Sequence, residues 1–417
     1  LEVQTEYHYT TYAKSNLGDV YYGEVKRFTT KLPVFSDCSP KMAFAGDQIA
    51  ITGSDFGHQI ELAKVWINNE EVKVDSMTNG KLYVTVPELD VEYRKINLKA
   101  SLSTVNYDFP TEKLVYLQGK FDQIENLPGV VAECYGFVLN DLPFLMKTSG
   151  ELYFYEGGWQ LLGEFPLDGH RKGAVAISNN NKAYIGLGSL QSTTESNYIR
   201  DFWELDTKTF LWSQLSNFPG TLRESAVHFT IEDKIYVGLG YSGRGNLNDF
   251  WSYDIKQDIW TRLADFPIAD LEFNTFFSAS GKGFITLSYK FEQIYEKEKN
   301  LHLWEYDPDK NEWTERAPFP SQPRLGATGV SLPNSGLVGY GYNLFNDIDG
   351  FKIEKYKDLW EYYPTSDEWV LRTTNNVDAR ICPIILPTSK GFYFGLGQTR
   401  ADLYKFIYHT DMYLIRR

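Results

Sequence analysis

The chain has 417 residues and a net charge of −14, with acidic and basic residues scattered along its length. That length is enough for two or three domains, and the charge argues against binding to the phosphate backbone of nucleic acids. No apolar run approaches the roughly 18 residues that a membrane span requires. Three cysteines cannot make a disulfide framework, and six histidines stand singly, so neither a metal site nor a cofactor is expected.

The first thirty residues contain two strand-like segments. Residues 7–13 alternate as a strand does, residues 16–19 carry turn-forming side chains, and residues 23–28 predict a second strand. An isolated hairpin is marginally stable in water, so we expect it to pack on the next domain or on an upstream half. The segment resembles the last two strands of a fibronectin type III sandwich, and we assign residues 1–30 to a partial domain of that kind.

Residues 31–117 predict an immunoglobulin-like β-sandwich. Short β-rich runs at 48–52, 65–67, 72–74, 82–86 and 96–100 are separated by turn clusters, the pattern of such a sandwich. The string ITGSDFG at 51–57 and VTVP at 84–87 resemble an IPT/TIG domain. The resemblance implies a spacer or adhesion module, as in bacterial surface proteins. Some relatives in transcription factors contact DNA, a role that the acidic balance here disfavours.

A strand-like sextet recurs from about residue 120 to the end of the chain. Its six copies start at residues 151, 201, 249, 302, 358 and 402. Four copies carry a second tryptophan nine residues after the first: Trp203 and Trp212, Trp251 and Trp260, Trp304 and Trp313, Trp360 and Trp369. A constant spacing across a turn predicts a hairpin that places both rings in one packing layer. Glycine-rich strands precede most sextets, and a Phe-Pro pair follows four units, at 165–166, 218–219, 266–267 and 319–320.

Six units of four strands predict a six-bladed β-propeller over residues 118–417, so the fold class is all-β. The repeats resemble Kelch repeats over about 300 of the 417 residues. Two segments compete to close the ring. Residues 121–128 resemble an outer strand without its blade, whereas residues 411–414 lie at the nine-residue spacing from Tyr404. We favour closure by the N-terminal segment.

A charged residue precedes each innermost strand when the units are aligned on the Phe-Pro pair. These residues are Glu133, Arg171, Arg223, Glu272, Arg324 and Arg380. They predict a ring around one mouth of the axial channel, with the two glutamates in opposite blades. In proteins that resemble Kelch propellers, arginines at this place often line the ligand funnel, and a guanidinium suits a carboxylate ligand. The alternative is that these charges pair internally and need no ligand.

Loops at 189–200, 289–301 and 342–357 are expected to overhang the same mouth. Their tyrosines Tyr198, Tyr289, Tyr295 and Tyr342 are candidates for stacking on sugar rings. Cys134 and Cys382 start inner strands of adjacent blades if the ring closes, and His170 and His228 flank inner strands. For each of these cysteines and histidines, a structural role is the simpler interpretation. No nucleotide-binding or nucleophile motif is present.

These observations predict a non-catalytic binding protein, secreted or on a bacterial cell surface, and monomeric. Its propeller would recognise a glycan or a surface protein for adhesion, and its sandwich would act as a spacer. The alternative is a carbohydrate mutarotase or epimerase resembling the Kelch-type sialic-acid epimerases. In that case Glu133 or Glu272 would transfer a proton and the arginines would hold a carboxylate. An intracellular Kelch adaptor is a third possibility, which the sandwich module disfavours.

Overall fold

The computed structural model describes 5–39, 42–43, 48–87, 94–95, 97–109, 115–116, 121–129, 133–166, 171–191, 196–272, 274–287, 301–347, 350–374, 378–400 and 406–416. The chain divides into two compact units, Leu1–Gln118 and Gly119–Arg417. The described residues form β-strands and one short 3-10 turn, Ile60–Leu62. The predicted all-β fold class is therefore confirmed.

A twisted ribbon of two antiparallel segments opens the first unit. Glu6–Tyr9 pairs with Lys26–Thr29, and Tyr12–Lys14 pairs with Val20–Tyr22. The turn is held by the Ser15 carbonyl, which accepts from the Gly18 amide at 3.0 Å. The hairpin expected from the sequence is confirmed, and most of its side chains are exposed.

Two four-stranded antiparallel sheets form the sandwich. One contains Val74–Thr78, Lys81–Thr85, Gln48–Ser54 and Val34–Ser39, and the other contains Val105–Asp108, Leu98–Leu102, Ala63–Ile67 and Glu70–Val72. Three short strands, Arg94–Lys95, Val115–Tyr116 and Met42–Ala43, make a small third sheet. Alternate residues of both large sheets point inward, among them Ile49, Ile51, Val65, Ile67 and Leu82, which are fully buried. This period of two is what a half-buried strand requires.

The second unit contains six four-stranded antiparallel sheets, the blades of the predicted propeller. We number the blades by the chain order of their innermost strands and give the strands from the axis outward. Blade 1 is Cys134–Leu139, Leu142–Lys147, Glu151–Tyr155 and Trp159–Glu164; blade 2 is Val175–Asn179, Lys182–Gly186, Phe202–Asp206 and Trp212–Gln214; blade 3 is Val227–Ile231, Lys234–Gly238, Phe250–Asp254 and Ile259–Arg262; blade 4 is Thr275–Ala279, Lys282–Thr286, Leu303–Asp307 and Glu312–Arg316; blade 5 is Thr328–Ser331, Gly336–Gly339, Asp358–Tyr363 and Glu368–Thr374; blade 6 is Ile384–Thr388, Gly391–Gly395, Met412–Arg416 and Phe121–Ile124.

The ring closes in blade 6, where the N-terminal strand Phe121–Ile124 adds its edge to the C-terminal strand Met412–Arg416. Closure by the N-terminal segment is confirmed. The placement of the last repeat at residue 402 is wrong, because Met412–Arg416 is the third strand of this blade and pairs with Gly391–Gly395. Residues 402–405 lie outside the described residues. The two segments therefore do not compete for one place; they occupy adjacent places.

Aromatic side chains fill the space between neighbouring blades, as the nine-residue spacing predicts. Phe218 of blade 2 lies 5.6 Å from Trp251 and 5.0 Å from Trp260 of blade 3, measured between ring centroids. The Phe-Pro phenylalanines at 165, 266 and 319 contact the tryptophan pair of the next blade in the same way. Edge-to-face contacts at these distances stabilise the ring beyond the burial of area alone.

Three β-hairpins are inserted between the second and third strands of blades 2, 5 and 6. They pair Ser189–Gln191 with Ser196–Tyr198, Tyr342–Asp347 with Gly350–Lys355, and Gln398–Arg400 with Phe406–Tyr408. The short strand Arg171–Lys172, just before the inner strand of blade 2, pairs with the first of them. The hairpins therefore rise from the face of the propeller where the inner strands begin.

Candidate ligand-binding site

Four of the six predicted ring residues are arginines that lie buried inside their blades. Each pairs with an aspartate that lies just before the third strand or, in blade 5, is its first residue: Arg171 with Asp201, Arg223 with Asp249, Arg324 with Asp358 and Arg380 with Asp411. The first three contacts span 2.8, 2.7 and 2.6 Å between nitrogen and oxygen. The arginine side chains are at most 3% exposed.

Each arginine also joins two strands of its own blade. Arg223 donates to the carbonyl oxygen of Leu239 at 3.0 Å and stacks over the Phe218 ring at 4.9 Å. Leu239 has a left-handed backbone, with φ of 53°, which turns its carbonyl towards the guanidinium. The partner Asp249 accepts a second bond from the Trp251 indole at 2.7 Å. The arginine-to-carbonyl bond repeats in the other three arginine-bearing blades. Their aspartates accept from a tryptophan in blades 2 and 5 and from Tyr413 in blade 6.

Asp249, Asp358 and Asp411 remain ionised because of this pairing. Burial by itself would raise the pKa of Asp249, but the hydrogen bond and the positive charge of Arg223 hold the pKa below its ordinary value. The pKa values of Asp358 and Asp411 are lowered against the same cost of burial, by Arg324 and Arg380 respectively. The arginines therefore satisfy the alternative of internal pairing, and their guanidinium groups are not presented at the channel mouth.

The two glutamates of the predicted ring do not align with the arginines. The register of blades 3 and 4 makes Leu271, rather than Glu272, the equivalent of Arg223, because Val227 and Thr275 occupy the same ladder position. In blade 1 the same comparison places Glu133 two residues closer to the inner strand than the arginine position of the other blades. The prediction of six equivalent charges is therefore wrong for the two glutamates.

Blade 4 lacks both members of the pair that the arginine blades share. Leu271 replaces the arginine, and His302 occupies the aspartate position before Leu303–Asp307. The indole nitrogen of Trp304, equivalent to Trp251, is buried and has no hydrogen-bond partner among the described residues. The loss of the acceptor thus has a direct structural consequence in this blade.

Two adjoining cavities lie at the axis where the inner strands begin, and both are lined by Tyr135, Ser225 and Cys382. The larger one has a volume of about 770 Å³ and receives side chains mainly from blades 3 and 4. Those side chains include His228, Tyr241, Asn246, Glu272 and Phe276. The smaller one has a volume of about 380 Å³ and is lined by Glu133, Cys134, Lys172, Glu224 and Gln398, among others.

Several polar side chains in these cavities are held in fixed orientations. The Tyr135 hydroxyl donates to the Arg171 carbonyl at 3.0 Å and accepts from the Ala174 amide at 3.2 Å. The His228 ring lies 4.8 Å from the Phe276 ring, and its Nδ1 is 2.9 Å from the Ala226 carbonyl, so this nitrogen carries the proton and donates. Burial lowers the pKa of His228, which keeps the ring neutral at pH 7.

Both cavity cysteines are protonated thiols at neutral pH. Burial, with a contribution from Glu133, raises the pKa of Cys134 to about 12 and that of Cys382 to about 11. Cys382 is nevertheless accessible at the concave surface, whereas Cys38 of the sandwich is buried. A thiol rather than a thiolate is a poor nucleophile, so neither residue is poised for covalent chemistry.

The structure places the predicted loop tyrosines in different environments. Burial raises the pKa of Tyr198, and the nearby carboxylate of Glu224 and the hydroxyl of Tyr241 raise it further. Tyr342 is 8% exposed and packs in a hydrophobic cluster, so the prediction that it stacks on a sugar is wrong. Tyr289, Tyr295 and His170 lie outside the described residues.

Sequence reasoning missed Tyr135, Glu224, Tyr241 and Asn246 as cavity residues. Glu224, Tyr241 and Asn246 occupy connections whose lengths vary between blades, and Tyr135 lies on the inner strand of blade 1, whose repeat is poorly matched, so the repeat pattern marks none of them. Among the described residues, no group of three or more potential ligands could hold a metal ion. No described helix is long and apolar enough to cross a membrane.

The fold and the repeated Arg–Asp–Trp arrangement define a Kelch-type β-propeller preceded by an immunoglobulin-like sandwich. Family models agree: residues 33–112 match the IPT/TIG domain and residues 223–267 match the Kelch motif. A solved structure of YjhT is similar to this chain with a TM-score of 0.57 and 15% identity, over 70% of this chain and 99% of that one. At this identity the likeness concerns the fold. No curated protein matches the chain.

Proposed function

We propose that this chain is a non-catalytic binding protein that acts outside the cell or at a bacterial cell surface. The propeller recognises a glycan or a surface protein through its axial cavity, and the sandwich serves as a spacer. The observation that carries the proposal is the larger cavity, whose volume of about 770 Å³ lies within the usual range for ligand sites. Its wall combines the aromatic rings of Tyr241 and Phe276 with the amide of Asn246.

The state of the reactive groups favours binding over catalysis. His228 is neutral, and its Nδ1 proton is committed to a backbone carbonyl. Cys134 and Cys382 are protonated thiols, as their raised pKa values require. The wall also carries the rings of Tyr241 and Phe276 and the amide of Asn246, which suit the faces and hydroxyl groups of a sugar.

The test is a binding measurement with a panel of acidic, neutral and amine-bearing oligosaccharides, made by thermal shift and calorimetry. A ligand present at 100 times its Kd stabilises the folded state by about 2.7 kcal/mol, which is readily detected. Asn246→Ala and Tyr241→Ala are each expected to weaken binding about five- to thirtyfold, since each removes a polar or aromatic contact worth about 1 to 2 kcal/mol. Ile259→Ala, an exposed site on the outer strand of blade 3, is the matched control. Absence of binding by every saccharide would refute glycan recognition.

A carbohydrate mutarotase or epimerase is the second candidate, because a carboxylate lies in the same cavity. Glu272 accepts a hydrogen bond from the Asn246 amide at 3.2 Å and lines the larger cavity, where a proton acceptor would be needed. The arginines cannot serve as a carboxylate clamp in this arrangement because they are buried in pairs. Exchange at the anomeric centre, followed by NMR, tests this candidate. Rates equal to those in buffer, with and without Glu272→Gln, would exclude it.

A further inference from the structure

The axial cavities carry an excess of negative charge. Their charged lining residues are Glu133, Glu224 and Glu272, opposed by the single cation Lys172. The arginines that the sequence places nearest the axis do not contribute, since each is neutralised by its own aspartate inside a blade. The electrostatic character of the site is therefore the reverse of the one that an arginine ring would give.

None of these three glutamates forms an ion pair within the described part of the chain. Glu272 accepts from the Asn246 amide, and Glu224 accepts from the Ser189 hydroxyl. A neutral donor orients a carboxylate without cancelling its charge. The negative charge of Glu133 also acts on other cavity groups. Burial is the largest cause of the raised pKa values of Cys134 and Cys382, and Glu133 raises both further.

Aromatic side chains stand beside these carboxylates. Phe276 and Glu272 both line the larger cavity, and Tyr241, which is 39% exposed, lines the same space. Tyr198 is near both Glu224 and Tyr241. A ring face and a carboxylate both attract an ammonium group, and neither attracts a carboxylate ligand.

We infer that the larger axial cavity takes a saccharide that bears a free amine and discriminates against saccharides that bear a carboxylate. This inference rests on the proposed function, since it names the ligand class of the same site. The ammonium group would lie against Glu272 and the neighbouring rings, and the sugar hydroxyls would meet the amide of Asn246. An anionic sugar in the larger cavity would meet Glu272, with Glu133, Glu224 and the single cation Lys172 lining the adjoining cavity.

The charge of the cavity can be measured without any sugar, through the accessible thiol of Cys382. In a Cys134→Ser background, the full chain is labelled with a cationic and an anionic methanethiosulfonate reagent, and each rate is divided by the rate with free cysteine. The normalised cationic rate is expected to exceed the anionic rate about threefold or more in low salt. Glu272→Gln and Glu133→Gln should each reduce the ratio, whereas Glu312→Gln, on the outer strand of blade 4, should leave it unchanged. A ratio of one or less would overturn the inference.

Binding then identifies the ligand class. Oligomers of glucosamine, N-acetylglucosamine and glucuronic acid are compared by calorimetry with the unmodified chain. The inference requires the amine-bearing oligomer to bind most tightly, with an affinity that falls about tenfold or more in Glu272→Gln. Equal or tighter binding of the neutral or acidic oligomer would overturn the inference and leave glycan recognition standing. If no oligomer binds, glycan recognition and the amine-sugar assignment both fail, even if the thiol rates show a negative cavity.

Discussion

Removing one aspartate from an arginine blade should cost far more stability than its single ion pair suggests. In Asp249→Ala the guanidinium of Arg223, which is 0% exposed, loses its counter-charge, and the Trp251 indole loses its acceptor. Breaking a buried pair by removing one partner costs about 3 to 5 kcal/mol, because the remaining charge is stranded without solvation. That is a large fraction of the roughly 5 to 15 kcal/mol that stabilise a typical domain.

The assay is urea unfolding followed by tryptophan fluorescence. Nine of the ten tryptophans lie in the propeller unit and only Trp66 in the sandwich unit, so the signal reports mainly on the propeller. A two-unit chain can unfold in two steps, so the propeller transition is fitted separately. Asp233→Ala is the control, because its pair with Lys256 is largely exposed and should contribute no more than about 1 kcal/mol.

A double variant distinguishes a stranded charge from a general loss of packing. Blade 4 carries Leu271 and His302 where blade 3 carries Arg223 and Asp249, and it keeps its four strands. The double variant Arg223→Leu, Asp249→Ala should therefore be more stable than Asp249→Ala alone. Arg223→Leu alone completes a double-mutant cycle with these two variants. A cost below about 1 kcal/mol for Asp249→Ala, or strictly additive costs of the two single variants, would refute the reasoning.

Three further outcomes are expected. The folded-state pKa of Asp249 lies below its unfolded value. The stability contributed by its ion pair is therefore complete above about pH 4 and is lost as the pH falls through the folded-state pKa. A free energy of unfolding that stays constant down to about pH 2 would contradict this. Gly329→Ala should prevent or severely weaken folding, because its Cβ would lie 2.0 Å from a backbone oxygen of the neighbouring inner strand, whereas Gly163→Ala meets nothing within 4 Å; thermal melts of both test the difference. Trp304→Phe should cost about 1 kcal/mol less than Trp251→Phe, since the Trp304 indole nitrogen has no hydrogen-bond partner among the described residues; equal costs in urea unfolding would contradict this.

The propeller could be predicted because its signals are local and repeated. The two tryptophans of each hairpin and the Phe-Pro phenylalanine of the preceding blade form one contact layer, as between Phe218 and the pair Trp251 and Trp260. Each blade must fill the same wedge against its neighbour, so the same residues recur. The closing strand Phe121–Ile124 was also recognisable, because it keeps an outer-strand pattern far from the rest of its blade.

The candidate site was harder to predict because the connections into the inner strands differ in length. Arg223 is five positions after Phe218, but Arg171 is six positions after Phe165, so counting from the Phe-Pro pair is ambiguous by one residue. That ambiguity placed Glu272 in the arginine position that the ladder gives to Leu271. Nor does a sequence show which way a guanidinium points. Here the aspartate at the start of the third strand of the same blade decides it, as Asp249 does for Arg223.

The departure of blade 4 from the shared pattern links stability to the site. This blade has Leu271 and His302 in place of an Arg–Asp pair, and no described residue bonds the Trp304 indole nitrogen. It nevertheless supplies Leu271, Glu272, Asn274 and Phe276 to the wall of the larger cavity. In the arginine-bearing blades, the position of Leu271 holds a cation that is buried and neutralised. Natural proteins tend to break their local rules at functional sites and to compensate elsewhere in the fold. Here the five other blades and the aromatic layers maintain the ring, which leaves blade 4 free to shape an acidic and aromatic cavity.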